Sequence, residues 1–115
     1  MGVPIGLDRL LAELTPEQAR SVLLRLAEDF ETDLTAESVD DFYDEILALE
    51  VDDDALLEVT VQEGGKEIPL LVEFFRHETG ADELLVVAPP RLVGQVRQLI
   101  EALAPAAKLS VIPGA

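Results

Sequence analysis

The densest chemistry in this sequence is anionic. Between Glu28 and Asp54 stand 13 acids and no base. Glu37, Asp40, Asp41, Asp44 and Glu45 recur at spacings of three and four, which puts them on one face of a helix. The pairs Glu37/Asp41, Asp40/Asp44 and Asp41/Glu45 set like charges four residues apart, at a cost of roughly a few tenths of a kcal/mol each. Glu50, Asp52, Asp53 and Asp54 follow the helix C-terminus, where its dipole opposes negative charge. A chain that needed only solubility would intersperse lysines. The pattern fits a surface for a basic partner, by electrostatic steering or by imitation of a phosphate backbone. It fits a solvated face in an acid-rich proteome equally well.

Asp52, Asp53 and Asp54 invite a hard cation, which wants clustered carboxylates. An EF-hand loop places acids at alternate positions with a central Gly and a closing Glu, whereas Ala55, Leu56 and Leu57 follow here. No dedicated metal site is expected. His77 stands among Glu73, Glu78, Asp82 and Glu83, a setting for a general base or for half of a metal site. With one histidine and no cysteine, zinc of the usual kinds lacks ligands. Ser21, Ser38 and Ser110 are the only serines, and none lies in a G-x-S-x-G elbow. We expect a turn histidine and no catalytic residue.

Arg91 and Gly94 lie just after an apolar run and open a helix, where backbone N–H groups and a guanidinium can meet a phosphate. A Pro-started amphipathic helix with a glycine at a packing contact is the other reading of the same residues. The predicted order of two helices, three antiparallel strands, a helix and a strand is similar to the core of the GNAT acetyltransferases. Arg91 and Gly94 match that family's Arg/Gln-x-x-Gly-x-Gly/Ala loop, with Val96 in the final place. By topology the resemblance spans Thr15 to Ile112. It implies a reduced acyl-CoA-binding protein that uses Arg91 and Gly94. Without it, no cofactor is expected.

Composition bounds these readings. Of 115 residues, 24 are acidic and 8 basic, for a formal net charge of −16. Leu, Val, Ile and Phe number 41, too many for a disordered acidic tail. Residues 1–55 carry a net −13 and residues 56–115 a net −3. A single domain over 1–115 is expected, acidic and helical over 1–55 and β-rich over 56–115. Direct nucleic-acid binding lacks both a basic patch and a stacking platform. Neither a signal peptide nor a bilayer span is visible, and Gly6 stands where a myristoylation signal wants Ser or Thr. A cytoplasmic location follows as the expectation.

The elements that must position these residues follow from period. Leu7, Leu10, Leu11 and Leu14 fall at i, i+3, i+4 and i+7, which predicts a short first helix. Thr15, Pro16 and Gln18 form a capping box that opens a helix over about 16–30. Thr35 caps a third helix, with Val39, Phe42, Tyr43, Ile46 and Leu49 inward. From Ala55 the period drops to two, and Gly64-Gly65 turns a hairpin. Pro69 argues for an edge strand or a bulge. Leu84–Ala88 reads as a central strand, joined by a final helix to a parallel neighbour at Lys108–Ile112. The expected fold is α+β, with N-terminal helices packed on a four-stranded mixed sheet in the order α-α-α-β-β-β-α-β. Ile68 and Phe74 share one face of their strand, and Leu71 and Phe75 the other. Helices on one side leave that other face bare, so a homodimer through Leu71 or Phe75 is expected. The functional expectation is a non-enzymatic acidic module (adaptor, inhibitor, immunity-like or chaperone-like) that binds a basic protein through Glu37, Asp40, Asp41, Asp44, Glu45 and Asp52–Asp54.

Overall fold

The structure, a computed structural model, describes residues 6–114. Met1 and Gly2, on which the leader and myristoylation readings bear, lie outside them. The chain runs β1 (Asp8–Glu13), α1 (Pro16–Asp29), β2 (Glu31–Thr32), α2 (Ala36–Leu47), β3 (Asp54–Glu63), β4 (Lys66–Phe75), β5 (Glu83–Ala88), α3 (Pro90–Leu103) and β6 (Leu109–Ile112). Six strands form one sheet in the order β2-β3-β4-β5-β1-β6, and every neighbouring pair is antiparallel. The fold is α+β, but the four-stranded mixed sheet and the helix-first order are both overturned.

The correction centres on the first segment. Leu10 and Ala12 are wholly buried, while Arg9, Leu11 and Glu13 turn to the opposite face. That is period two, not 3.6. Leucines at i, i+3, i+4 and i+7 satisfy a helical template, but a segment this short is below the length at which helix stands alone. Leu10 instead pairs with Val86 on β5 and with Val111 on β6, so tertiary pairing decides. The proposed β-α-β crossover survives in altered form. β5 and β6 run in the same direction, but β1 lies between them. Strand β2, two residues against Val61 and Gln62, was not expected.

The capping signals hold. The Thr15 hydroxyl accepts from Gln18 N–H and the Gln18 side chain accepts from Thr15 N–H. Thr35 and Ser38 repeat the arrangement at α2. Gly64 and Gly65 take φ of 59° and 77°, as a two-residue hairpin turn demands. Pro69 is on neither an edge nor a bulge; it sits opposite Thr60 inside the sheet. Thr60 directs its own N–H and C=O to Asp33, away from β4. The Thr60–Pro69 pair is therefore a non-hydrogen-bonded one, and the missing Pro69 donor faces the β5 side. There the β5 ladder has already stopped at Leu71. No ladder bond is lost.

All three helices cover one face of the sheet. α1 packs between α2 and α3, with α2 above β3 and α3 above β1 and β5. Leu23, Leu26, Phe42, Ile46, Leu92 and Ile100 from the helices meet Leu10, Val59, Leu70, Phe74, Leu84 and Val86 from the sheet. A strand at β1 predicts an asymmetry that a helix would not. Leu10→Ala should cost about 3 kcal/mol in urea denaturation, and Leu11→Ala under about 1 kcal/mol, because only the former opens a core cavity.

Candidate functional site

The acidic surface assembles at the β2–β3 end of the molecule. Glu37, Asp40, Asp41, Asp44 and Glu45 are all exposed on the outer face of α2, opposite buried Val39, Phe42 and Ile46. Asp52 and Asp53 are exposed in the turn that leads from α2 into β3, and Asp54, also exposed, opens β3 on the sheet face away from the helices. Asp52 holds a left-handed φ of 64°, fixed by its N–H donating to the Arg76 carbonyl at 2.7 Å. Arg76 N–H donates in turn to the Asp53 carbonyl at 3.0 Å. The Arg76 guanidinium donates to the carbonyls of Leu47 (3.4 Å) and Leu49 (3.2 Å), at the negative end of α2. This arginine supports the turn that presents the aspartates. Nothing in its sequence neighbourhood marks it for that role.

One of the eight acids is not free. Arg20 reaches from α1 to Asp40 with Nε at 3.1 Å and Nη2 at 3.0 Å, and lies 5.5 Å from the Tyr43 ring centroid. Asp40 is thus an inter-helix tie as well as a surface charge. Among the described residues, no cation is within ion-pair distance of Glu37, Asp41, Asp44, Glu45 or Asp52–Asp54. No three His, Asp or Glu side chains converge there or elsewhere in the described chain.

The residues around His77 separate into two groups. His77 Nε2 lies 2.5 Å from Glu83 Oε1, its N–H donates to Asp82, and its ring stacks on Phe75 at 6.3 Å. Glu73 instead lies opposite Leu56 on the β3–β4 ladder, with the Asp54 carboxyl as its diagonal neighbour, and Glu78 stands exposed in the turn. A His–carboxylate dyad can move a proton, and none of the three serines joins it. The Ser21 and Ser38 hydroxyls donate to the carbonyls of Glu17 and Thr35. Ser110 lies on β6, two strands from Glu83.

Arg91 and Gly94 sit at the start of α3 but do not form a cradle. Arg91 pairs with Glu63 at 3.2 Å, Pro89 caps the helix without a side-chain bond, and Pro90 opens it. A Cβ added at Gly94 would meet nothing within 4 Å, so neither a packing contact nor a close backbone approach calls for glycine there. From Pro16 to Ile112 the chain does run through two helices, three antiparallel strands, a helix and a strand, with the two-residue β2 between the first two helices, but β1 separates β5 from β6, so these two strands do not pair.

Among the described residues, nothing packs over the sheet face away from the helices. Leu71 and Phe75 lie on it, as expected, joined by Leu11, Leu56, Leu85, Val87 and Ile112. Leu56 and Ile112 are about half exposed, at 50% and 52%. Leu7, Pro69, Leu71 and Val87 line a hollow of about 280 Å³ in that face. Glu73 stands between Leu56 and Leu85 in this apolar setting. Burial, and then the adjacent Asp54 carboxyl, raise its pKa from the ordinary glutamate value. Sequence alternation pointed to Leu71 and Phe75; Leu11, Leu85 and Val87 join them only through long-range pairing.

Comparison of the chain with protein-family models, with curated proteins and with solved structures finds no match.

A raised folded-state pKa means that the folded protein holds the Glu73 proton more tightly than the unfolded chain. Stability from this group is complete below the unfolded pKa and declines as pH rises through the folded one. Glu73→Gln should therefore raise the melting temperature relative to the parent at pH 7.5. The gain should shrink towards pH 4, as thermal melts across that range would record.

Proposed function

We propose that this chain is a non-enzymatic, acidic protein-interaction module that binds a basic protein surface through α2 and the turn into β3. The observation that supports the reading is the set of seven carboxylates there without a cation, although Arg20 and Arg76 lie within reach of the same elements. Arg20 is used to join the helices and Arg76 to close the turn. The charge therefore stands outward as an uncompensated field at one end of the molecule, which steers a basic partner into contact. An adaptor, inhibitor, immunity-like or chaperone-like role in the cytoplasm fits such a module. Among the described residues, no helix is long and apolar enough to cross a membrane.

The reading extends to self-association. The bare sheet face is of the apolar kind that marks an interface, and Leu56, Leu71, Phe75, Leu85 and Val87 on it come from the half of the chain with a net charge of only −3, Leu11 from the acidic half. A homodimer through Leu71 and Phe75 keeps the acidic end free for a partner. Leu71→Glu in a chain that still folds should leave only monomer in sedimentation velocity at about 50 μM, where the parent populates a dimer of the sort common among two-fold assemblies.

The acidic surface is tested with an oligolysine peptide as the basic probe. Asp41→Asn, Asp44→Asn, Glu45→Gln and Asp53→Asn together should lower its affinity and flatten the dependence on salt. Four neutral substitutions elsewhere, at Glu17, Glu28, Glu67 and Glu101, should do less. Stability should hold or rise, because like-charge repulsion along α2 is relieved. Equal losses from the two sets would reduce the effect to net charge and remove the interface.

A further inference from the structure

The sheet is open along part of its acidic edge. β2 pairs with β3 only at Val61 and Gln62. Asp33 extends that cover to Thr60, donating its N–H to the Thr60 carbonyl and accepting the Thr60 N–H on its carboxylate. Among the described residues, no strand lies beside β3 from Asp54 to Val59. Thr60 turns its N–H and C=O outward, so by alternation Leu56 and Glu58 do the same, while those of Ala55, Leu57 and Val59 point to β4. Aspartate side chains close both ends of the gap. The Asp54 N–H donates to Asp53 Oδ1 at 3.0 Å, and the Thr60 N–H to Asp33 Oδ1 at 2.9 Å. Between them the N–H and C=O groups of Leu56 and Glu58 have no partner among the described residues.

The side chains along this edge select what can join it. Asp54, Leu56 and Glu58 stand exposed on the sheet face away from the helices, and no base stands on that face of β3 or β4. Leu47, Val51 and Leu56, three of the six large apolar residues exposed among those described, lie between the end of α2 and the middle of the gap. Across a ladder, opposite charges stabilise and like charges destabilise. Every second residue of an added strand would lie opposite Glu58, Leu56 and Asp54 in turn. Complementarity therefore asks for a base, an apolar residue and a base at alternate positions. A second copy cannot supply that segment, because no two of the eight bases in this chain are four residues apart.

We propose that the open edge of β3 between Asp54 and Glu58 accepts an extended basic segment of a partner protein as an added antiparallel strand, with bases opposite Asp54 and Glu58 and an apolar side chain opposite Leu56. The proposal rests on the reading of the acidic end as a surface for a basic partner, and it names the form that partner takes. Antiparallel is the arrangement of every pair in this sheet, and the added strand would run in the direction of β2 from the point where β2 ends. In strand addition the main-chain bonds give affinity and the alternate side chains give specificity. The unpaired groups of Leu56 and Glu58 supply the first, and Asp54, Leu56 and Glu58 the second. Charged side chains on an edge also guard against indiscriminate pairing. Here they are of one sign, which turns the guard into a selector, and the acids of α2 and the turn add their field to the approach.

The probe is the acetylated, amidated peptide Thr-Lys-Thr-Val-Thr-Lys-Thr, titrated into the full chain by calorimetry and by NMR. Binding should slow amide exchange at Leu56 and Glu58 at least tenfold. N-methylation of the peptide valine, whose N–H would point at β3, should weaken binding at least tenfold. The same change on the threonine before it, whose N–H points away, should alter binding less than twofold. An isomer with its two lysines adjacent should bind at least fivefold more weakly. Leu56→Pro removes a donor that faces away from β4, so that ladder stays whole. The variant should melt cooperatively and bind at least tenfold more weakly; if it does not fold, the two methylated peptides still decide. Equal binding of those peptides, or parent-like binding by a folded Leu56→Pro chain, would overturn strand addition. So would a Leu56→Pro chain that loses the parent's self-association, which would give the edge to a second copy. In each case an affinity for oligolysine that still falls with Asp41→Asn, Asp44→Asn, Glu45→Gln and Asp53→Asn together would leave the acidic-surface reading standing. A chain that binds neither this peptide nor oligolysine would overturn both.

Discussion

Three helices cannot cover both faces of a six-stranded sheet. Six strands span about 24 Å, and three helices abreast at about 10 Å each fill that width once. With α2, α1 and α3 all on one side, nothing among the described residues is left to cover the opposite face. The consequences run through the molecule. Among the described residues, the buried apolar side chains form one cluster, and no buried residue is polar or charged. The outer surfaces divide into an acidic helical end and a mixed apolar face, with different demands on water.

Charge placement follows the same division. The cations near the acidic end are held by structure: Arg20 joins α1 to α2, and Arg76 satisfies carbonyls at the end of α2. Arg25 and Arg97 pair with acids four residues along their own exposed helices, where such contacts are worth about 0.3–0.5 kcal/mol. The net field at the β2–β3 end is left unopposed by any of these. On the bare face, by contrast, acids are interleaved with leucines, and Arg9 is the cation among them.

Local chemistry was legible in the sequence wherever a signal closed on itself within a few residues. Thr15 with Gln18, Thr35 as a cap, and Gly64-Gly65 between alternating strands all appear as read. The acidic stripe of α2 was also legible, since helical period alone assigns its face. What failed was long-range. Leu7 to Leu14 fits a helical template and a strand template, and the choice belongs to Val86 and Val111, far away in the chain. Pro69 misled because its tolerance depends on where β5 ends, not on whether β4 lies at an edge. The surface cluster of Leu11, Leu56, Leu85 and Val87 exists only after four strands have found their register. Arg76 gave no sign of its role, since an arginine that caps a distant helix has no local pattern. Gly94 drew a motif reading that its open surroundings do not support.

The position of β1 also bears on how the chain is made. This strand leaves the ribosome ahead of the other described elements, yet its partners are β5 and β6. Until β5 emerges, Leu10 and Leu11 must wait, apolar and without a ladder, while α1, α2 and the β3–β4 hairpin form behind them. Pairings so distant in sequence slow folding. For that interval the nascent chain exposes an unpaired strand edge, the kind of surface that chaperones hold.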